Sequence, residues 1–323
     1  MNMRAHVLRR YVKPLVVSLV ILFSAYSLLD RHESVQQRPT PSPAEDRLLS
    51  PETYKYLLNQ PGACRRSNPF LVFMVPVAPH ASSAREAIRM TWGAASPDTL
   101  TLFYMGLPVG GRLRSIQDML EEESRTHADV IQMDFLDTYQ NLTIKTMMIM
   151  NWLAVHCPNV PYAMKVDSDM FVNVFYLLPL LRRCPSRRFI TGSVISDGKP
   201  KRDPKHKWQI SEQMYPEDSF PPYVSGAGYV FSGDLAADIS RASRSVRIVP
   251  LEDVYVGLCL RVLGVRPAYS RSWLTFRNLF EVRDLEYDRC SFAGRVLVNG
   301  FNSSKLLHAW KDFSQGHKSC FVF

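Results

Sequence analysis

Apolar and polar positions alternate in blocks along most of this chain, and the blocks predict its elements. Phe70 to Val77 is an apolar run bounded by Pro69 and Pro76, the pattern of a strand buried on both faces. Ser82 and Ser83 are candidate N-caps of a helix through Trp92. That helix sets Ala84, Ile88 and Trp92 on one face and Arg85 and Arg89 together on the next. Leu100 to Gly106 reads as a second strand, Ile116 to Thr126 as a helix with Glu121, Glu122 and Glu123 exposed, and Val130 to Met133 as a third strand. Asn141 to Val155 has helical periodicity, and its methionine-rich face is explained by core packing. The strand Tyr162 to Val166 then ends abruptly at Asp167 and Asp169. Val174 to Leu181 follows as a helix, Phe189 to Val194 as a strand, and a helix starts at Leu251 with Glu252 and Asp253 in its first turn. Strand and helix alternating up to Asp169 predict an α/β fold with a mostly parallel sheet and flanking crossover helices.

The first sixty residues have a different pattern. Met1 to Lys13 holds Arg4, Arg9, Arg10 and Lys13 without an acid, and Pro14 to Leu29 is uncharged and mostly apolar. The basic flank keeps the N-terminus in the cytoplasm. The run is long for a signal-peptide core and lacks a clear cleavage pattern. We expect a cytoplasmic tail (1–13), a transmembrane signal-anchor helix (14–29), a polar, proline-bearing lumenal stem (30–60) and a globular domain (61–323). The composition contains six cysteines, none in a Cys-X-X-Cys pair, so disulfides in a lumenal compartment are expected before a structural zinc site. Asn141-Leu142-Thr143 and Asn302-Ser303-Ser304 are N-glycosylation sequons at Asn141 and Asn302. The net charge of +9 invites nucleic acid as a partner. The basic clusters, Lys199 to Lys207 among them, lack any nucleic-acid-binding pattern, so nucleic acid is excluded. A solvated basic face is the default there, and a surface attracting anionic nucleotide-sugars or membrane the second choice.

The chemistry concentrates where strands end. Asp167-Ser168-Asp169 places two hard oxygen donors at the carboxyl end of a strand, where α/β domains bind ligands, and such a pair suits Mg²⁺ or Mn²⁺. A solvated turn is the plain alternative for a bare Asp-X-Asp. Tyr223 to Gly233 carries small residues where a backbone can approach a ligand, or forms a bulge or tight bend. Glu252 and Asp253 have an adequate non-catalytic explanation in the helix dipole.

Five ordered blocks nonetheless resemble one family. They are Arg85-Glu86-Ala87-Ile88-Arg89 with Thr91-Trp92-Gly93; Asn141-Leu142-Thr143 with Lys145-Thr146; Lys165 to Asn173; Tyr223 with Ser225-Gly226 and Gly228-Tyr229; and Glu252 to Gly257. The chain is similar in these to the β-1,3-galactosyltransferase and β-1,3-N-acetylglucosaminyltransferase family, closest to the galactosyl branch. The resemblance implies a GT-A fold and a single-pass type II enzyme of the Golgi membrane with a lumenal catalytic domain. The implied reaction is a metal-dependent, inverting transfer of galactose from UDP-galactose, in β-1,3 linkage, to a terminal sugar of a glycoprotein or glycolipid. A UDP-N-acetylglucosamine donor, or a catalytically weak lumenal binding or chaperone protein, are the alternatives. On this resemblance Asp169 and Asp167 hold Mn²⁺ against the UDP diphosphate, Asp253 is the general base and Glu252 orients beside it. Arg85, Arg89, Lys165, Asp167, Ser225 and Gly226 are donor-binding, with helix-surface salt bridges as the alternative for the two arginines. Trp208, Tyr215 and Tyr223 are acceptor platforms or core. The partners implied are a UDP-sugar, a glycan acceptor, the membrane and, as an option, a second copy in a homo-oligomer. The chain departs from the family at Asn299, where relatives carry a metal-binding His, at Val224 in place of a cysteine, and across Arg271 to Asp288.

Overall fold

A computed structural model of the chain describes residues 53–111, 113–268 and 286–321. The tail, the expected anchor and most of the stem lie outside them, as does most of the divergent Arg271 to Asp288 stretch. Among the described residues no helix is long and apolar enough to cross a membrane.

Seven strands form one sheet in the order β1-β4-β3-β2-β5-β8-β7. They are β1 (Tyr56–Leu58), β2 (Leu71–Pro76), β3 (Thr99–Leu107), β4 (Val130–Leu136), β5 (Tyr162–Val166), β7 (Ile190–Ile195) and β8 (Tyr223–Ser232), while β6 (Met170–Val172) and β9 (Leu297–Asn299) form a separate antiparallel pair. The central block β4-β3-β2-β5 is parallel, and β1, β8 and β7 join antiparallel. The protein is thus mixed α/β around a central, mostly parallel sheet. The continuous apolar run of β2 has a simple cause. Val72 and Met74 enter the core on one face of the sheet, and Leu71, Phe73 and Val75 that on the other.

Helix α1 (Ala63–Ser67) follows β1, and α2 (Ser82–Arg89), α3 (Leu113–His127) and α4 (Leu142–His156) are the crossovers; α5 (Val174–Leu181), α6 (Asp234–Ala242), α7 (Glu252–Val262), α8 (Arg289–Ala293) and α9 (Ser303–Gly316) complete the order. Helix α4 is buried around most of its circumference, Met147, Met148 and Trp152 included, so it has no broad polar face. Its methionines are core, as expected.

Three expectations change. Residues 56–59, expected in the stem, belong to the folded domain, because Tyr56–Leu58 pairs with β4 and Asn59 Oδ1 accepts from Trp152 Nε1 at 2.7 Å. Ser82 and Ser83 lie inside α2, whose N-cap is Ala81. Glu123 does not share the exposure of Glu121 and Glu122, for reasons given below. Of the six cysteines, Cys64–Cys157 and Cys290–Cys320 are disulfides, and Cys184 and Cys259 are free thiols.

Candidate active site

The site grows from the end of β5. Burial on both faces carries the strand to Val166, and the next residues turn out of the sheet. Antiparallel β8 runs beside it with Lys165 opposite Tyr229 and Val166 opposite Gly228, and the Asp167 amide donates to the Ala227 carbonyl at 3.0 Å. The end of β5 therefore lies against the first half of β8, and Ser225 and Gly226 stand next to Asp167. Helix α7 packs on β8 with its first turn beneath Gly226. A Cβ there would lie 2.5 Å from Glu252 Oε1, so close approach of helix to strand requires glycine.

A cavity of about 690 Å³ opens at this junction, and Lys165, Asp167, Ser225, Gly226, Glu252 and Asp253 all line it. Six sequence-predicted residues thus come together from three elements. Lys165 is buried, and its Nζ donates to Asp167 Oδ1 at 2.7 Å, to Glu252 Oε1 at 3.0 Å and to the Gly226 carbonyl. Burial opposes its charge, but Asp167 and Glu252 outweigh that and hold the ammonium above its ordinary range. It is spent inside the site as the bolt between β5, β8 and α7 and does not project as a ligand. Glu252 is also buried; its Oε2 accepts from Thr146 Oγ1 at 3.2 Å and lies 3.5 Å from the Tyr229 hydroxyl. Burial pushes its carboxyl up to about 7 against the pull of Lys165, with Asp253 and Asp167 pushing the same way as burial.

Asp253 faces the cavity. Its Oδ2 accepts from the Gly226 N–H at 3.2 Å and its Oδ1 from the Val254 N–H at 2.8 Å. Burial raises this carboxyl above the usual range, and those two donors with Lys165 restrain the rise. The result is a fixed carboxylate, oriented by backbone, that can accept a proton from a bound hydroxyl. Asp169 stands one turn beyond Asp167, just before β6, and its carbonyl accepts from the Phe301 N–H at 2.9 Å. Partial burial and the Asp167 charge raise its carboxyl.

Arg85, Arg89 and Tyr215 lie away from the cavity. Arg85 is fully buried; its Nε and Nη2 hold Glu123 at 2.7 and 2.5 Å, and Nη1 donates to the Ala78 and Pro79 carbonyls. Arg89 pairs with Glu123 at 2.6 Å and Asp129 at 2.8 Å and lies over the Phe103 ring. Neither guanidinium is free for a nucleotide, which corrects the donor-binding expectation. Together they clamp α2 to α3 and fix the loop after β2, and they account for the burial of Glu123. Tyr215 is core: it is buried and its hydroxyl donates to the Ser219 carbonyl at 2.8 Å. Asn302 caps α9 by accepting from the Lys305 N–H. Asn141, the other sequon residue, donates to the Leu136 carbonyl just ahead of α4, and Thr143 is buried against the Val249 carbonyl.

Among the described residues no three His, Cys, Asp or Glu side chains cluster as a metal cage. Asn299 supplies the observation that tests the fit. Its Oδ1 is buried with no hydrogen-bond partner, and the residue lines the same cavity as Asp167. Asp169 is not among the residues lining the cavity; the Asp167 carboxylate and the Asn299 amide oxygen that line it are hard donors that fit Mg²⁺ or Mn²⁺, with diphosphate and water completing the shell.

The sequence reading missed Tyr139 as cavity lining and singled out Lys199 to Lys207 only as a basic surface, whereas Lys199, Lys201 and Lys207 line the cavity. It also missed a buried Lys145–Asp137 pair at 2.7 Å beneath the loop after β2, where Lys145 Nζ donates to the Val77 carbonyl. Paired polar side chains at distant positions leave no periodic signal.

Fold and site define an α/β protein whose cavity opens in the crevice outside the carboxyl end of β5, the place where such sheets bind ligands. The model of the family described as Galactosyltransferase matches residues 83–271. The chain is 38% identical over 276 residues to beta-1,3-galactosyltransferase 2 of Mus musculus and of Homo sapiens, covering 83% of this chain and 64% of each relative. It is 38% identical over 283 residues to beta-1,3-galactosyltransferase 1 of Mus musculus, covering 85% of this chain and 83% of that one. The chain belongs to the galactosyltransferase family. It spans about 64% of the length of the first two relatives.

Proposed function

We propose that this chain is an inverting β-1,3-galactosyltransferase of GT-A fold, moving galactose from UDP-galactose to a terminal sugar of a glycoprotein or glycolipid. The observation that carries the reading is Asp253, held by the Gly226 and Val254 amides in a cavity it shares with Asp167. The names of the relatives support galactose over N-acetylglucosamine. Asp253 accepts the proton of the acceptor 3-hydroxyl as that oxygen bonds to the sugar C1 from the face opposite the departing UDP. Lys165 keeps Asp167 and Glu252 in register with Asp253, and Ser225 and Gly226 form the floor against which the donor lies. Asp167 and Asp169, with Asn299, would hold Mn²⁺, which when bound neutralises charge developing on the diphosphate leaving group. The two disulfides support a lumenal, oxidising compartment, in keeping with a type II Golgi protein anchored through residues 14–29 and glycosylated at Asn141 and Asn302.

The test is turnover by the full-length protein in detergent, with UDP-galactose or UDP-N-acetylglucosamine and Mn²⁺, on acceptors ending in galactose, N-acetylgalactosamine or N-acetylglucosamine. Asp253→Asn should lower kcat by about 10²- to 10⁴-fold with donor affinity retained. Equal rates in wild type and variant overturn the general-base role. Undiminished rates in EDTA overturn the metal role.

A further inference from the structure

The loop at 196–222, between β7 and β8, forms the cavity wall facing the carboxylates. It is tied to itself by the Phe220 N–H on the Gly198 carbonyl, the Ile210 N–H on the Lys201 carbonyl and Arg202 on the Ile210 and Glu217 carbonyls. Lys199, Lys201 and Lys207 line the cavity from this wall. Among the described residues none of the three ammonium groups pairs with a carboxylate, in contrast to Lys165 across the cavity. Beside them stands an aromatic pair, also lining the cavity. Trp208 Nε1 donates to the Tyr139 hydroxyl at 2.9 Å, and Lys207 Nζ lies 4.9 Å from the centre of the Tyr139 ring. These are large aromatic side chains left 45% and 43% exposed. Exposed aromatics in a cavity are suited to stacking on sugar rings, and a cationic wall attracts an anion. Tyr139 and Trp208 line the same cavity as Asp253, so the aromatic pair borders the space in which a general base meets its acceptor.

We propose that this wall is an acceptor subsite that selects acidic glycans: Tyr139 and Trp208 seat the sugar next to the one being galactosylated, and Lys199, Lys201 and Lys207 receive an anionic substituent on it, a sulfate or a uronic carboxylate. The inference rests on the transferase reading and deepens it. The test uses two synthetic acceptors identical except for one sulfate on the penultimate sugar, assayed with the full-length protein at varied ionic strength. The expected result is at least a tenfold higher kcat/KM for the sulfated acceptor. That preference should fall as salt shortens the screening length to about 3 Å near 1 M, and should drop to near unity in Lys199→Ala/Lys201→Ala/Lys207→Ala. Equal kcat/KM for the two acceptors overturns the proposal while leaving the transferase standing. So does a triple variant whose only change is a higher KM for UDP-galactose, which would assign the lysines to the donor diphosphate. Turnover of neither acceptor, with no UDP-galactose hydrolysis, defeats the transferase reading itself. Trp208→Ala separates stacking from charge: it should raise KM for both acceptors alike and leave their ratio unchanged, and a fall in the ratio instead would overturn the division of roles.

Discussion

Lys165→Met removes the one buried cation that joins Asp167, Glu252 and Gly226, with little change in side-chain volume. Breaking a buried pair by deleting one partner costs roughly 3–5 kcal/mol, because the other charge is left without compensation. Glu252 has an escape, since it can take up a proton. Its ordinary value is 4.5 and its value in the wild-type fold about 7, so wild type already carries most of the cost of neutralising it at pH 7, and the variant adds roughly 1.4 kcal/mol for each pH unit above that. At pH 5 the step adds almost nothing to the difference between variant and wild type. The sign follows from the direction of the shift. A carboxyl with a raised folded pKa favours the folded state below its unfolded value, and loses that advantage as pH rises through the folded value. Wild type already shows part of this slope, because Glu252 sits at about 7, and the variant should steepen it above that pH. Asp167, with 42% of its side chain exposed, is solvated and adds little. Urea unfolding in EDTA should therefore show the destabilisation by Lys165→Met growing by about 2 kcal/mol between pH 6 and pH 8.5. Lys165→Met/Glu252→Gln should recover at least about 1 kcal/mol at pH 7 and flatten the dependence. A loss that does not grow between pH 6 and pH 8.5 would refute the account of the buried bridge.

Arg85→Met leaves Glu123 with Arg89 as its remaining cation partner and should cost about 1–3 kcal/mol in unfolding experiments through the lost charged hydrogen bonds, with the dissociation constant of UDP unchanged within twofold; a selective loss of UDP binding would return Arg85 to the donor site. Gly226→Ala places a methyl against Glu252 Oε1 and should cost about 1–3 kcal/mol from overpacking, with kcat falling more than KM rises, since Asp253 is oriented by that amide; wild-type kcat would remove the positioning role. The Cys64–Cys157 bond closes a separation of 93 residues against 30 for Cys290–Cys320. Loop entropy assigns the two about 4.7 and about 3.6 kcal/mol, so paired serine substitution in the first should lower the urea midpoint more, and the reverse order would refute that ranking.

The parts of the fold that were legible in the sequence are those fixed by local pattern. Tyr162–Val166 and Val174–Leu181 fall on their expected residues, because an apolar run stops at charge in the first case and a helical period stops at Arg182 in the second. Asp167, Ser225, Gly226, Glu252 and Asp253 do converge, because each ends or begins an element that the sheet brings to one edge. The arginines show the limit of that approach. The helical period set Arg85 and Arg89 side by side correctly, but their partners Glu123 and Asp129 lie 34 to 40 positions away, and no spacing rule reports such a pairing. Tyr56–Leu58 was hidden for a related reason. Three residues at the margin of a polar segment become a strand only because the edge of β4 accepts them.

The antiparallel entry of β8 explains why a single edge gathers so much chemistry. In a wholly parallel sheet the strand beside β5 would also end at the crevice, and its chain would leave toward a helix. Here β5 ends where β8 begins, with Val166 opposite Gly228, so the departing Asp-X-Asp turn and the arriving Ser225-Gly226 backbone share one face. The chain before β8 must then lie over that face, which places the 196–222 loop opposite Asp253. The strand reversal fixes the carboxylates through close packing, in which a Cβ at Gly226 would collide with Glu252. Trp208 and its neighbouring lysines are instead held by loop contacts and stay exposed. Substitutions in the wall should therefore cost the fold less than a side chain added at Gly226, which unfolding of Trp208→Ala and Gly226→Ala compares.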